Sequence, residues 1–248
     1  MATDAQPAEK TRRSGLDLSE KGKDEEGRVI RLDRRLFVQL QAFTDCHDTA
    51  PLIEALEAHA LPGVLYADTQ DARGVGVLTF SEEADHFVGS WRQVLNTPPF
   101  RELTPRPAFT MFGRTYSIGY ESDLEETLIR RPIRTMTNPA WPWAVWYPLR
   151  RAGAFEQLSA SDQRTMLMEH GGIGRAYGRG DHAHDVRLSC HGLDTHDNDF
   201  IAGLIGKTLH PLSAVVQHMR KTKQTSMYLE QLGPFFVGKA LWQHAPAS

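Results

Sequence analysis

Residues 159–174, SASDQRTMLMEHGGIG, decide how this chain reads. Ser159 is placed to cap a helix, and Asp162 three positions on completes an S-x-x-D capping box. Asp162 also suits the positive end of the helix dipole. Met166, Leu167 and His170 recur as an apolar stripe, and Gly171-Gly172 is predicted to end the helix, because glycine tolerates the left-handed C-cap. His170 then falls in the last turn, on or beside the buried stripe, with small neighbours. A neutral imidazole so placed suits axial ligation of iron in a flat cofactor, whereas a cationic His170 suits the negative helix end. The stretch alone leaves both readings open.

Working outward, 248 residues suffice for one large domain or two packed halves, and a hydrophobic content of 40% supplies a core. A net charge of −3 argues against a general nucleic-acid binder, which needs a strong basic excess. Cys46 and Cys190 are far apart with no C-x-x-C, so neither a disulfide framework nor a structural zinc site is expected, and a reducing cytoplasm fits. The start, MATDAQPAEKTRR, lacks the apolar centre of a secretory signal. No apolar run approaches membrane-spanning length, so no membrane span is expected.

Residues 1–30 mix charged residues, Gly and Ser with almost no large apolar side chains, and read as a flexible tail. Beyond it, 35–43 reads as a strand, 51–60 as a helix, 63–68 and 75–80 as strands around a turn, and 81–96 as a helix. A proline-rich connection at 98–107 leads to a strand-rich segment at 108–120. That order, β-α-β-β-α-β, is a ferredoxin-like unit. A helical turn at 123–128 and an irregular segment to 142 follow. The second half reads as a strand at 143–149 interrupted at Pro148, the Ser159 helix, strands at 186–193 and 200–205, a helix at 211–220 and a closing strand at 235–237. The order recurs, so the fold class is α+β. An N-terminal half over 31–142 and a C-terminal half over 143–248 are expected to merge their sheets into a dimeric α/β barrel.

Several motifs fall away on inspection. Gly203 to Thr208 fails as a phosphate loop, because the required first glycine position holds Ile201. His182 and His184 have metal-like spacing but lack a second pair of ligands at a characteristic distance. Asp194, Asp197 and Asp199 lack the glycine and late glutamate of a calcium loop.

The later motifs carry a family resemblance. WYPLRR (146–151), MLMEHGGIGRAYG (166–178), SCHGLD (189–194), DFI (199–201), MRKTKQTSMY (219–228) and GPFFVG (233–238) occur in the order typical of the chlorite dismutase-like heme proteins. That superfamily includes the coproheme decarboxylases of bacterial heme synthesis. The resemblance covers roughly 34–242 and is densest after Trp143. It implies heme (heme b or coproheme) in the C-terminal half, iron porphyrin and a small oxidant, peroxide or chlorite, as partners, and a homo-oligomeric ring, often a pentamer.

By the same resemblance His170 corresponds to the proximal iron ligand, and Tyr147 to the tyrosine that decarboxylases use as a radical relay near a propionate. Arg151 stands where decarboxylases carry a propionate-binding lysine, and Arg220 and Thr225 match the residues that hold propionates. An arginine fork binds carboxylates bidentately, which makes the match chemically apt. The chain departs from the pattern at three places. Asp185 occupies the position of the distal arginine of chlorite-degrading members, with Arg187 two residues on and on the same strand face. Lys223 replaces a glutamate that often bonds the proximal histidine. The segment between Tyr147 and His170 is short, with Phe155 as its nearest aromatic. The implied activity is that of a heme-dependent oxidoreductase, most concretely a peroxide-dependent coproheme decarboxylase. The alternatives are a chlorite-decomposing or peroxidase-type enzyme using Arg187, and a heme-binding or heme-sensing protein without turnover.

Overall fold

A computed structural model describes residues 15–246. Within the segment read as a tail, β1 (Glu20–Lys23) and β2 (Val29–Leu32) form an antiparallel hairpin. Polar contacts hold it. Glu20 accepts from Arg114 Nη1 at 2.9 Å and from the Ser117 backbone and hydroxyl at 2.9 and 3.0 Å. Such contacts leave no mark in hydropathy, which is why composition points the other way. The rest of that segment, 1–14, lies outside the described residues.

In the N-terminal half come β3 (Phe37–Thr44), α1 (Ala50–His59), β4 (Gly63–Asp68), β5 (Val75–Ser81), α2 (Asp85–Val88), α3 (Ser90–Leu95), the short β6 (Thr104–Pro105) and β7 (Met111–Thr115). The helix expected over 81–96 is thus broken at Gly89, and the strand expected over 108–120 is only β7. Next, α4 (Arg131–Met136) occupies the segment expected to be irregular. The C-terminal half contains β8 (Trp143–Arg151), α5 (Gly153–Glu156), α6 (Ala160–Arg179), β9 (His184–Ser189), β10 (Phe200–Gly206), α7 (Leu209–Met219), α8 (Lys223–Tyr228), β11 (Leu229–Leu232) and β12 (Phe236–His244).

Pairing is antiparallel throughout. In chain order within each half, the strands lie fourth-first-third-second: β7-β3-β5-β4, and β12-β8-β10-β9. Two seams join the halves, β7 to β9 and β4 to β12, so the row of strands closes on itself. Pro148 does not interrupt β8, contrary to expectation. On one edge β8 pairs with β12 up to Trp146 and with β11 from Leu149. Pro148 sits in the gap between those partners, where a missing N–H costs no ladder bond.

Alternation along the strands sends one face inward and the other outward. The inward face packs Leu36, Val38, Leu40, Tyr66, Phe80, Trp146, Leu188, Ile201 and Phe236. Room for the largest rings comes from glycine. A Cβ on Gly203 would meet the Trp146 ring at 2.5 Å, and one on Gly76 the Phe236 ring at 2.3 Å. On the outward face of the first half, Leu52, Leu56, Trp91 and Val94 cover Phe43, Leu65, Val75 and Val77. On that of the second half, residues of α6 and α7 cover Val145, Tyr147 and Leu204.

Ser159 caps α6 as read: its hydroxyl accepts from the Asp162 N–H at 3.2 Å and lies 2.7 Å from the Asp162 carboxylate. Gly171-Gly172, however, does not end the helix, which continues to Arg179. Each glycine costs up to about 1 kcal/mol against alanine. Packing beyond the glycines offsets that cost: Ile173 and Tyr177 rest on the sheet side, and the Tyr177 hydroxyl bonds His218 Nδ1 at 2.8 Å. The inward stripe is therefore Met166, His170, Ile173 and Tyr177, at helical spacing, while Leu167 is 39% exposed. His170 lies mid-helix. Ser159→Ala is expected to lower unfolding free energy by about 1 kcal/mol, read from urea denaturation, with the fold retained.

Candidate functional site

The outward face of the second half carries a row of three residues in register. Tyr147 on β8 lies opposite Ala202 on β10, which lies opposite Arg187 on β9. Paired residues of antiparallel strands share a face, so all three point toward α6. Ala202 contributes only a methyl group between two long side chains. From the facing helix comes His170. The sheet and α6 are thus the two walls of a candidate cleft, with His170 near enough to Arg187 for that charge to act on the imidazole.

Charges across this cleft act on one another. His170 is half-buried, and its Nδ1 is buried without a hydrogen-bond partner among the described residues. Burial, reinforced by the positive charges of Arg151 and Arg187, holds its pKa below the usual histidine range. The imidazole is therefore kept neutral, with a lone pair free to ligate. Tyr147 is 7% exposed and stacks on Phe235, with ring centroids 4.7 Å apart. Burial first, then the Asp185 carboxylate, pushes its phenol up to about 12, against the opposing charge of Arg220. Arg187 Nε lies 3.1 Å from Asp185 Oδ2, as their shared strand face requires.

Arg151, at the end of β8, is clamped between two rings, its guanidinium carbon 4.8 Å from the Phe155 centroid and 4.6 Å from that of Phe200. Its backbone N–H donates to Asp199 at 2.8 Å. Its side-chain Nε is buried and unpartnered among the described residues. Arg220, at the C-terminus of α7, is exposed and near enough to Tyr147 for its charge to act on the phenol. Thr225 lies in the first turn of α8, and its hydroxyl accepts from that of Thr222 at 3.2 Å. Among the described residues no hydrogen bond ties it to the other five.

Sequence reading missed Tyr116, just past β7 in the other half. It is half-buried with its ring 5.5 Å from that of Phe200, and burial raises its pKa while Arg187 and Arg151 oppose the rise. Nothing in the surrounding AFTMFGRTYSIGY distinguishes this tyrosine from a strand residue; only the β7–β9 seam brings it here. His184, set aside as a ligand, bonds Asp181 at 2.9 Å and stacks on Trp141 at 3.6 Å. Among the described residues no three His, Cys, Asp or Glu side chains converge to hold a metal ion. No helix among them is long and apolar enough to cross a membrane.

The family model described as chlorite dismutase matches residues 82–241, more than half of the chain. The chain belongs to the chlorite dismutase family. The fold of this family member also resembles solved structures. One is a heme-binding protein from Thermus thermophilus, with 19% identity and a TM-score of 0.65 over 85% of this chain and 92% of that one. Another is chlorite dismutase from Candidatus Nitrospira defluvii in complex with imidazole, with 15% identity and a TM-score of 0.64 over 84% and 92% of the two chains. A variant of the latter in complex with cyanide gives 15% and 0.63 over the same shares. At these identities the likeness establishes the α+β fold. No curated protein matches this chlorite dismutase-family chain.

Proposed function

We propose that this family member binds heme in the cleft between α6 and the sheet and works as a heme-dependent oxidoreductase, most concretely a peroxide-dependent coproheme decarboxylase. The observation that carries the reading is His170: a buried, unpartnered imidazole nitrogen on a helix facing Tyr147 and Arg187 across the cleft. A single neutral imidazole is what a metal needs when a macrocycle supplies its other ligands. The fit extends to the propionates. Arg151 has unspent donors and Arg220 is free at a helix end, and both suit carboxylates. The strand order supports two ferredoxin-like halves forming a dimeric barrel.

Bound iron porphyrin would supply the oxidising power through its reaction with peroxide. The chain's residues supply position and protons. His170 would hold the iron. Lys223 offers no carboxylate where relatives often carry one, so the imidazole would donate less electron density than a carboxylate-bonded one. Arg151, Arg220 and Thr225 would fix the propionates, and that fixing brings one of them against Tyr147. Its phenol stays protonated at neutral pH, so Tyr147 could pass an electron to the oxidised cofactor with release of its proton and then take a hydrogen atom from the propionate chain. Passage of a second electron to the cofactor would break the bond to the carboxyl carbon, releasing carbon dioxide and leaving a vinyl group while peroxide is reduced to water.

The test is anaerobic loading with ferric coproporphyrin, addition of peroxide, and separation of the porphyrins by mass. Stepwise loss of two carboxyl groups is expected. Tyr147→Phe should bind porphyrin within about threefold of wild type, because the lost hydroxyl is one contact, yet drop decarboxylation by roughly a hundredfold or more. Porphyrin that binds and stays intact in the wild type would remove the decarboxylase reading.

A further inference from the structure

The sheet wall of the cleft carries its own counter-charge. Asp185 and Arg187 are two residues apart on β9, so both leave the sheet on the side facing α6. They meet at 3.1 Å, and their side chains keep 54% and 40% of their exposure, so a small molecule entering the cleft reaches both. Arg187 is the cation in register with Tyr147 across Ala202. Arg151 and Arg220 lie elsewhere around the cleft, on β8's end and the end of α7. The middle of the wall therefore presents an ion pair of no net charge.

We propose that Asp185 cancels Arg187 and makes this wall a charge filter, which admits uncharged oxidants such as hydrogen peroxide and disfavours oxyanions such as chlorite. The inference rests on the reading of the cleft as a heme site. A ligand approaching iron that His170 would hold would meet the sheet wall and its ion pair. A free arginine there would attract an anion and hydrogen-bond it; a paired one has its charge and one N–H already engaged. Neutral peroxide loses little from the pairing.

The test compares azide, an anion, with imidazole at pH 8, where it is uncharged, by absorbance titration of ferric heme-loaded protein. Asp185→Asn keeps the shape and deletes the charge. Its azide affinity should rise about tenfold, the scale of one charge removed roughly 6 Å away at a dielectric between water and protein, with imidazole affinity moving less than about threefold. Arg187→Gln leaves Asp185 unmatched and should weaken azide about tenfold below wild type. The double variant should fall back to within about threefold of wild type, because both charges are gone. Equal azide affinity in wild type and Asp185→Asn, or a gain that survives in the double variant, overturns the filter while leaving the heme site standing. Wild type that takes up no heme overturns both.

Discussion

His170→Ala protein is expected to lose about a hundredfold or more in affinity for ferric porphyrin, a loss of roughly 2.7 kcal/mol, while unfolding at nearly the same urea concentration as wild type. The two halves of that expectation have separate causes. Among the described residues Nδ1 of His170 has no hydrogen-bond partner, and the ring is only half-buried, so its removal breaks no internal bond there. Alanine is also the better helix former, next to Gly171-Gly172, where α6 is weakest. What disappears is the bond to the cofactor. The arginines still attract carboxylates, so weak binding should persist, and added imidazole should restore the ligated spectrum by filling the vacated space. A variant that binds porphyrin within about threefold of wild type, with the same spectrum, would place the iron ligand elsewhere.

Gly203→Val is expected to damage the fold strongly. Gly203 lies opposite Trp146 on adjacent strands, and even one Cβ there would sit 2.5 Å from the indole ring. Trp146 is 1% exposed and packed within the inward core. Overpacking of this kind costs about 1–3 kcal/mol, and valine, with three added carbons, belongs at the upper end. For a chain of this size that is a fall of roughly 5–10 °C in Tm by calorimetry. Trp146→Leu alone should also destabilise, by leaving a cavity. Combined, the two should cost less than their separate effects, since the smaller side chain accepts the larger one. Strict additivity would show that the two residues do not compete for space.

The two halves of the molecule were unequally legible. Runs such as VGVLTF and GVLYAD carry their hydropathy openly, and β4, β5, α1 and α7 fall close to where pattern places them. The β1–β2 hairpin was hidden because Glu20 and Ser117 hold it through polar bonds across a long sequence separation. The length of α6 was hidden because local propensity argues for a stop at Gly171-Gly172, and only contacts of Ile173 and Tyr177 with distant elements override it. The cleft residues divide the same way. His170 and Tyr147 could be named from motifs, and Arg187 from its strand face. Tyr116 could not, because its place depends on a strand seam that no local pattern encodes. The aromatic clamp on Arg151 is also a product of three separate elements meeting.

The closed row of strands has a consequence for synthesis. β12 bonds to β8 on one side and to β4 on the other, so a strand at 236–244 completes a pairing with one at 63–68. Until the ribosome has released residues 236–244, β4 presents bare peptide groups along one flank, an invitation to pair with another nascent chain. The second seam, β7 to β9, must also wait for residues more than sixty positions away. Folding should therefore be slow and late, and the growing chain should depend on chaperones that shield strand flanks.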